Sequence, residues 1–154
     1  MFFNNHKEKG LTIAELLVSI AILSFGLIAI LRLMNFSIIT SRQNKDQIIM
    51  ANLAQEGLEI VRNIYDSGTQ DLFGLAGDYC VDYNDAELSS CPSNNSKLKL
   101  QDGIYSYDGG NDSPYSRKIN IQKEGEDIIV ITSTVSRGKS SFSLKMKLWR
   151  KQTP

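Results

Sequence analysis

Histidine, cysteine and proline are scarce in this sequence, and their scarcity excludes several classes of function. The 154 residues include one histidine (His6), two cysteines and three prolines, and the formal net charge is zero. Two cysteines with no accompanying histidine or third thiol make a poor zinc site. A neutral chain does not have the general basic surface on which many nucleic-acid-binding proteins depend. The glycine patterns of phosphate-binding loops and dinucleotide folds are also missing. The length suits one domain with one modest core.

One long apolar run lies near the N-terminus. Residues 11–31 are apolar except at five positions, which are Thr12, Glu15, Ser19, Ser24 and Gly26. As a helix, these 21 residues would be about 30 Å long, which is the thickness of a bilayer's hydrocarbon core. A domain of this size cannot easily bury such a helix. A cleaved secretory signal has a shorter run that ends in a small-residue site, and no such site follows here. The run therefore predicts a membrane-spanning segment, and a plain signal anchor is the simplest form of it.

The residues at the start of this run predict its orientation and leave one role open. Lys7 and Lys9 precede the run, so by the positive-inside rule the N-terminus stays in the cytoplasm and the rest crosses the membrane. Glu15 lies inside the run, where a charged side chain costs roughly 2.5–3.5 kcal/mol at mid-helix. Thr12-x-x-Glu15 is also a capping box, in which both side chains bond to amides of their own helix. From these residues alone, Glu15 is either a helix cap or a functional carboxylate.

The junction between leader and run resembles a known family. Lys9-Gly10 followed by Leu-Thr-Ile-Ala-Glu is similar to the N-terminus of type IV prepilins and of the pseudopilins of type II secretion. The resemblance implies that a membrane prepilin peptidase cuts after Gly10 and methylates the new N-terminal residue, Leu11. It also implies that Glu15 pairs with the N-terminal amine of a neighbouring subunit during assembly. Two features depart from the family pattern. Leu11 stands where phenylalanine is common, and the helix lacks the proline that often bends it in major pilins, so that Gly26 is the one obvious position at which it could bend.

An amphipathic pattern continues from the apolar run. Between residues 35 and 65 apolar side chains recur at helical spacing, and the clearest series is Ile49, Leu53, Ile60 and Ile64. The pattern predicts one helix from about Thr12 to Tyr65. Its hydrophobic part, residues 11–34, is the transmembrane or fibre-core segment, and residues 35–65 are the amphipathic continuation. Residues 54–64 also resemble the corresponding helix of minor pilins, the low-abundance subunits.

Residues 66–114 are rich in glycine, aspartate, asparagine and serine, and predict a long irregular acidic loop region. Cys80 and Cys91 lie within it. If this part is exported, the two cysteines predict a disulfide, with two reduced thiols as the alternative. The run from Asp108 to Asp112 offers oxygen atoms that suit calcium, yet clusters of glycine with asparagine or aspartate are more often turns. We expect a turn there and no metal site.

Residues 115–154 show a period of two and predict three antiparallel strands joined by short loops. The charges are divided between these last two regions. Residues 66–114 hold nine acidic and two basic side chains, whereas residues 115–154 hold nine basic and three acidic ones. The two groups are either solvated faces, or they attract each other across one head or between neighbouring subunits of a fibre.

Together these patterns predict an α+β, type IV pilin-like fold, in which a long N-terminal helix packs on a small antiparallel sheet. Loss of a leader at residues 1–10 would remove His6, which excludes histidine-dependent catalysis. We therefore expect a non-enzymatic structural subunit without a cofactor, more a minor pilin than a major one. It would be inserted as a single-pass prepilin with its head outside, and then polymerised into a cell-surface or periplasmic filament.

The expected partners are other pilin subunits, the prepilin peptidase and methyltransferase, an inner-membrane assembly platform, and membrane lipid before assembly. Three alternatives remain open. The first is a pseudopilin of a type II secretion or competence system. The others belong to different classes: a membrane-anchored binding module that does not polymerise, and an exported enzyme whose chemistry leaves no recognisable motif.

Overall fold

The computed structural model describes residues 12–91 and 96–151. A single long helix, α1 (Ile13–Ser67), is followed by a 3₁₀ turn (Leu72–Gly74) and by β-strands. The strands are β1 (Gly77–Tyr79), β2 (Lys97–Gln101), β3 (Ile104–Ser106), β4 (Asn111–Lys123), β5 (Ile128–Arg137) and β6 (Ser140–Trp149). The chain divides into two compact units after Asn44. The first contains the N-terminal part of α1, and the second, which we call the head, contains the rest of α1 and the strands.

Helix α1 runs without interruption for 55 residues. No proline occurs in it, and Gly26 and Gly57 are its only glycines, so few residues oppose the helical backbone. It ends just before Gly68, whose φ of +70° is the left-handed conformation that commonly closes a helix. The predicted helix, from about Thr12 to Tyr65, is therefore confirmed to within two residues at its end.

The strands form one antiparallel sheet with β4 at its centre. The order is β3-β2-β4-β5-β6, and β1 pairs with the C-terminal part of β4 on the side away from β5. The three long strands keep an unbroken register, so that Ile119 on β4 faces Ser133 on β5, which faces Leu144 on β6. These are the three antiparallel strands that the period-two pattern predicts.

The core of the head lies between α1 and one face of this sheet. On that face alternate residues of β4 and β5 are buried, and the apolar ones are Ile119, Ile121, Ile129, Ile131 and Val135. The matching stripe on α1 is Met50, Leu53, Ala54, Gly57, Ile60, Val61 and Ile64. The structure thus confirms the predicted α+β, type IV pilin-like architecture of a long N-terminal helix packed on an antiparallel sheet.

Residues 66–114 have more regular structure than the irregular region predicted for them. They contain β1, β2, β3 and the first residues of β4. Strands of three to five residues are too short for a clear period of two. Pro114 lies inside β4 rather than before it. At this point the register between β2 and β4 shifts, between the pairs Lys97↔Ser116 and Lys99↔Asp112. A bulge of this kind accommodates proline, which cannot donate to the ladder.

Candidate functional site

The predicted capping box is present at the start of α1. The backbone N–H of Thr12 donates to Oε2 of Glu15 at 3.1 Å, and the backbone N–H of Glu15 donates to Oγ1 of Thr12 at 3.3 Å. The Thr12 hydroxyl also donates to Oε2, at 3.2 Å. Both hydrogen bonds to the Glu15 carboxylate end on Oε2. No residue in 12–91 and 96–151 donates a hydrogen bond to Oε1. The cap interpretation is confirmed.

The N-terminal part of α1 exposes an apolar surface on every side. All residues from 12 to 39 are exposed, and the large apolar side chains among them are 48–80% exposed. An 18-residue window of α1 has a mean hydropathy of 2.5, so by length and composition the helix is able to cross a membrane. The hydroxyls of Ser19 and Ser24 donate to the carbonyls of Glu15 and Ile20, at 2.8 and 2.7 Å. These serines therefore present no unsatisfied donor to an apolar environment.

Not every predicted site residue falls in the described part of the chain. Gly10 and Leu11, the predicted cleavage and methylation residues, lie outside it. Gly26 lies within α1, and a Cβ atom added there would have no neighbour within 4 Å. The predicted soft point is thus an exposed helical glycine with room for a side chain.

Gly57 brings α1 close to the sheet. It lies in the buried stripe of the helix, where a Cβ atom would come within 2.8 Å of Ser133 Oγ and 3.0 Å of Ile119 Cδ1. Real Cβ atoms are almost never that close to another heavy atom, so with any larger residue these packed side chains would have to shift. The glycine is required by packing rather than by a special backbone conformation.

A buried arginine next to Gly57 joins the helix to the sheet. The side chain of Arg117, on β4, is fully buried. Its Nη1 donates to Oε1 of Glu56 at 2.8 Å and to the carbonyl of Leu53 at 3.4 Å, and its Nη2 donates to the carbonyl of Val81 at 2.8 Å. Burial opposes the charge, but Tyr107 and Glu56 outweigh it and raise the pKa of the guanidinium. The arginine, which is already charged at neutral pH, is thus held more firmly in its charged form.

The same arginine holds a loop that a disulfide closes. Cys80 and Cys91 form a disulfide, as predicted for an exported domain, and Val81 follows Cys80 directly. The guanidinium lies over the ring of Tyr107, 5.7 Å from its centroid, and the Tyr107 hydroxyl donates to the carbonyl of Arg117 at 2.8 Å. Burial raises the pKa of this phenol. Helix, central strand and disulfide loop thus meet at one buried cation.

A second polar cluster fixes α1 near the start of the head. The Tyr115 hydroxyl donates to Oδ1 of Asp46 at 3.0 Å, and Arg137 forms an ion pair with the same carboxylate. The guanidinium of Arg137 lies over the Tyr115 ring, 5.6 Å from its centroid. Burial and the nearby carboxylate raise the pKa of Tyr115. The contacts join β4, β5 and α1.

Some of the divided charge is neutralised within one head. Lys118 pairs with Asp78 at 3.0 Å, and Lys151 pairs with Asp66 at 3.5 Å, so two basic residues of the C-terminal region contact the acidic region. Hydrogen bonds from Asn120 and then from Lys118 lower the pKa of Asp78. All these groups are about half exposed, and exposed pairs contribute little to stability.

The run from Asp108 to Asp112 forms a turn, as expected. Gly109 and Gly110 have φ of 75° and 77°, and Asp112 leaves the turn to pair with Lys97 at 2.7 Å. That bond lowers the pKa of Asp112. Over residues 12–91 and 96–151, no three histidine, cysteine or acidic side chains are grouped as metal ligands.

No pattern in the sequence groups Gly57, Glu56 and Arg117. A signal for Arg117 was present, because it is in phase with Tyr115, Ile119 and the other buried residues of β4. An arginine in a period-two apolar series requires a buried acceptor, but the sequence does not say which acid supplies it.

Comparison with known proteins gives one match. Residues 5–31 match the family model described as the prokaryotic N-terminal methylation motif. No curated protein and no solved structure matches the chain.

Proposed function

We propose that this chain, which carries the type IV prepilin signature, is the precursor of a structural, non-enzymatic subunit of a type IV pilus-like filament. The coincidence of that signature with a bare apolar helix carries the proposal. Residues 12–39 bury no side chain, and a surface of this kind is stable only in lipid or among other helices. A precursor that first spans a bilayer and then joins a helical core requires both environments.

The processing steps follow from the motif. The prepilin is inserted with Lys7 and Lys9 in the cytoplasm and its head outside. A prepilin peptidase then removes residues 1–10 by cutting after Gly10, and Leu11 is methylated. The disulfide between Cys80 and Cys91 fits a head that folds in an oxidising compartment. The partners are this enzyme, the inner-membrane assembly platform and other pilin subunits.

Glu15 sets the register of assembly in this proposal. Among residues 12–91 and 96–151, only Oε2 of its carboxylate accepts a hydrogen bond, and in this proposal Oε1 accepts from the N-terminal amine of a neighbouring subunit. In a helical core such a pair is desolvated, and a carboxylate left there without its cation is strongly unfavourable. The pair therefore penalises every misaligned arrangement of the helices more than it stabilises the aligned one.

The likeness of residues 54–64 to minor pilins supports a low-abundance subunit. A pseudopilin of a secretion or competence system would have the same processing and helix. A minor pilin and a pseudopilin differ in the location of the mature chain. The pilin is found in an extended surface filament, and the pseudopilin in a short periplasmic one.

Variants at the cap separate assembly from helix capping. In cells that form the filament, Glu15→Ala should be cleaved and folded but should be missing from sheared filaments. Thr12→Val removes the hydroxyl of the same cap and keeps the carboxylate, so it should be incorporated. Glu59→Ala, an exposed acid of the head part of α1, is the control for loss of one negative charge. Normal incorporation of Glu15→Ala, or equal loss with Thr12→Val, would contradict the assigned role.

A further inference from the structure

Arg32 is the one charged residue in a long apolar part of α1. No other charged residue lies between Glu15 and Arg42. Arg32 is exposed, and among residues 12–91 and 96–151 it has neither a hydrogen bond nor an ion pair. It shares a shallow concave surface of the helix with apolar side chains only, which are Phe25, Ile28, Ala29, Leu33 and Phe36. In a bilayer, this guanidinium would need a partner that α1 itself does not supply.

The exposed apolar stretch of α1 is longer than the hydrocarbon core of a bilayer. All residues from Ile13 to Ile39 are exposed, and the helix rises about 39 Å over them, against roughly 30 Å for the core. About six residues must therefore lie outside the hydrocarbon, and apolar length alone does not say at which end. A charged side chain inside the hydrocarbon is costly, so the position of Arg32 settles the choice.

The spacing of the charges places Arg32 at the outer surface. From Ile13 to Arg32 the helix rises about 28 Å, which is close to the full thickness of the hydrocarbon core. Lys7 and Lys9 belong to the cytoplasmic side of the same span. Residues 33–39 then lie in the outer headgroup layer, although five of them are large apolar residues that are 51–69% exposed.

The headgroup layer offers one suitable anion in every phospholipid, which is the phosphodiester. The guanidinium of arginine is planar and donates two parallel hydrogen bonds to a phosphate. Its long apolar stem can lie along the helix while the charged end reaches the headgroups. On the cytoplasmic side of Arg32, the apolar surface of Phe25, Ile28 and Ala29 continues for about 10 Å towards the middle of the bilayer. An acyl chain of the same lipid fits against it.

We propose that Arg32 binds the phosphodiester of a phospholipid in the outer leaflet of the cytoplasmic membrane, with an acyl chain of that lipid against Phe25, Ile28 and Ala29. This inference rests on the proposed function, in which α1 first spans a bilayer. The contact sets the depth of the precursor and keeps residues 33–39 outside the hydrocarbon. It must break before α1 leaves the bilayer, so it belongs to the precursor and not to the filament.

Solid-state NMR of the full chain in vesicles tests the contact. The chain carries ¹³C at Cζ of its six arginines and is reconstituted, in phosphate-free buffer, into vesicles of phosphatidylethanolamine and phosphatidylglycerol. Dephasing of the arginine signal by lipid ³¹P should be present and should lose the share of one arginine in Arg32→Gln. Arg42→Gln is the matched control, because it makes the same change about 15 Å further along α1 and should keep that share.

A pair of cysteine variants measures the depth independently. Cys80 and Cys91 are joined, so an introduced cysteine is the only thiol of the chain. A maleimide that cannot cross the membrane should react with Ser37→Cys and not with Ser24→Cys. Adding Arg32→Gln should slow the reaction at position 37 about five-fold, the factor that one basic residue near a lipid surface contributes. Adding Arg42→Gln should leave the rate unchanged.

The remaining outcomes separate this contact from its competitors. Equal dephasing in Arg32→Gln and the parent, or dephasing by millimolar inorganic phosphate in a maltoside detergent, would overturn the lipid contact. So would an unchanged rate at position 37. Loss of Arg32→Gln from sheared filaments, with no ³¹P contact in vesicles, would assign Arg32 to a carboxylate of another subunit instead. Reaction at Ser24→Cys would overturn the membrane span and with it the proposed function, whose own tests are leader removal and dependence on Glu15.

Discussion

Removing the carboxylate of Glu56 should destabilise the head more than removing any exposed acid, because it isolates a buried cation. Arg117 has no exposed side-chain surface, whereas Glu56 is 39% exposed. Breaking a fully buried pair costs about 3–5 kcal/mol, and breaking an exposed pair costs about 0–1 kcal/mol. For a pair with one buried and one partly solvated member, we expect Glu56→Ala to lower the free energy of unfolding by about 2–3 kcal/mol.

Removing the arginine has a different consequence, because the carboxylate of Glu56 is partly solvated. Arg117→Met fills a similar volume, but it leaves the carbonyl of Val81 without its donor, at a cost of about 1–3 kcal/mol. Glu56 then turns to water and has no partner to lose. Adding Glu56→Ala to Arg117→Met should therefore change the stability by no more than about 0.5 kcal/mol, as for an ordinary surface site.

A double-mutant cycle measures this coupling. The four proteins are unfolded with urea in detergent as full chains, and the loss of tertiary structure is followed by near-ultraviolet circular dichroism. Glu59→Ala, three residues further along α1, controls for the helix propensity of alanine and should be within about 0.5 kcal/mol of the parent. A coupling energy below about 0.5 kcal/mol between Glu56 and Arg117 would refute the reasoning.

Three further predictions concern the packing, the acid sensitivity and the disulfide of the head. Gly57→Ala should destabilise by about 1–3 kcal/mol despite its better helix propensity, and Ser133→Ala should recover part of that loss in the same urea titration. The pKa of Asp78 is lowered in the folded head, so ionised Asp78 stabilises the head at a pH above its ordinary pKa. This stabilisation is lost as the pH falls through the pKa of Asp78 in the folded head. Asn120→Ala, which removes the largest cause of the shift, should flatten the loss of stability below about pH 4, measured by circular dichroism; an unchanged acid profile would contradict the assignment. Replacing both Cys80 and Cys91 by serine should cost about 3 kcal/mol from loop closure alone, and a change below about 1 kcal/mol would contradict a closed disulfide loop.

The long elements of this fold were predictable because their signals are local. From Ile13 onward the apolar run lies within α1, as does the whole buried stripe at helical spacing, and α1 contains no proline. The strands β4, β5 and β6 have ten residues or more, which is enough for a clear period of two. The short strands β1, β2 and β3 were not predictable, because they are stabilised by pairing with distant residues rather than by their own pattern.

In the candidate site, too, contacts between residues close in sequence were predictable and contacts between distant residues were not. The bond between Thr12 and Glu15 is a contact between residues three apart, so the sequence contains the whole signal. The pair of Glu56 and Arg117 joins residues 61 apart in the chain, and only the fold brings them together. The division of charge was visible in the sequence, but the strand order that puts β3 and β6 at the two sides of the sheet was not. That order follows from long-range pairing and has no local signature.

The intact mass of the chain isolated from its native membrane or filament tests the central claim most directly. The account predicts a protein that begins at Leu11, without residues 1–10, and whose mass exceeds that of the shortened sequence by the CH2 that one N-methylation adds. A mass that retains Met1, or that places the first residue beyond Leu31, would contradict it.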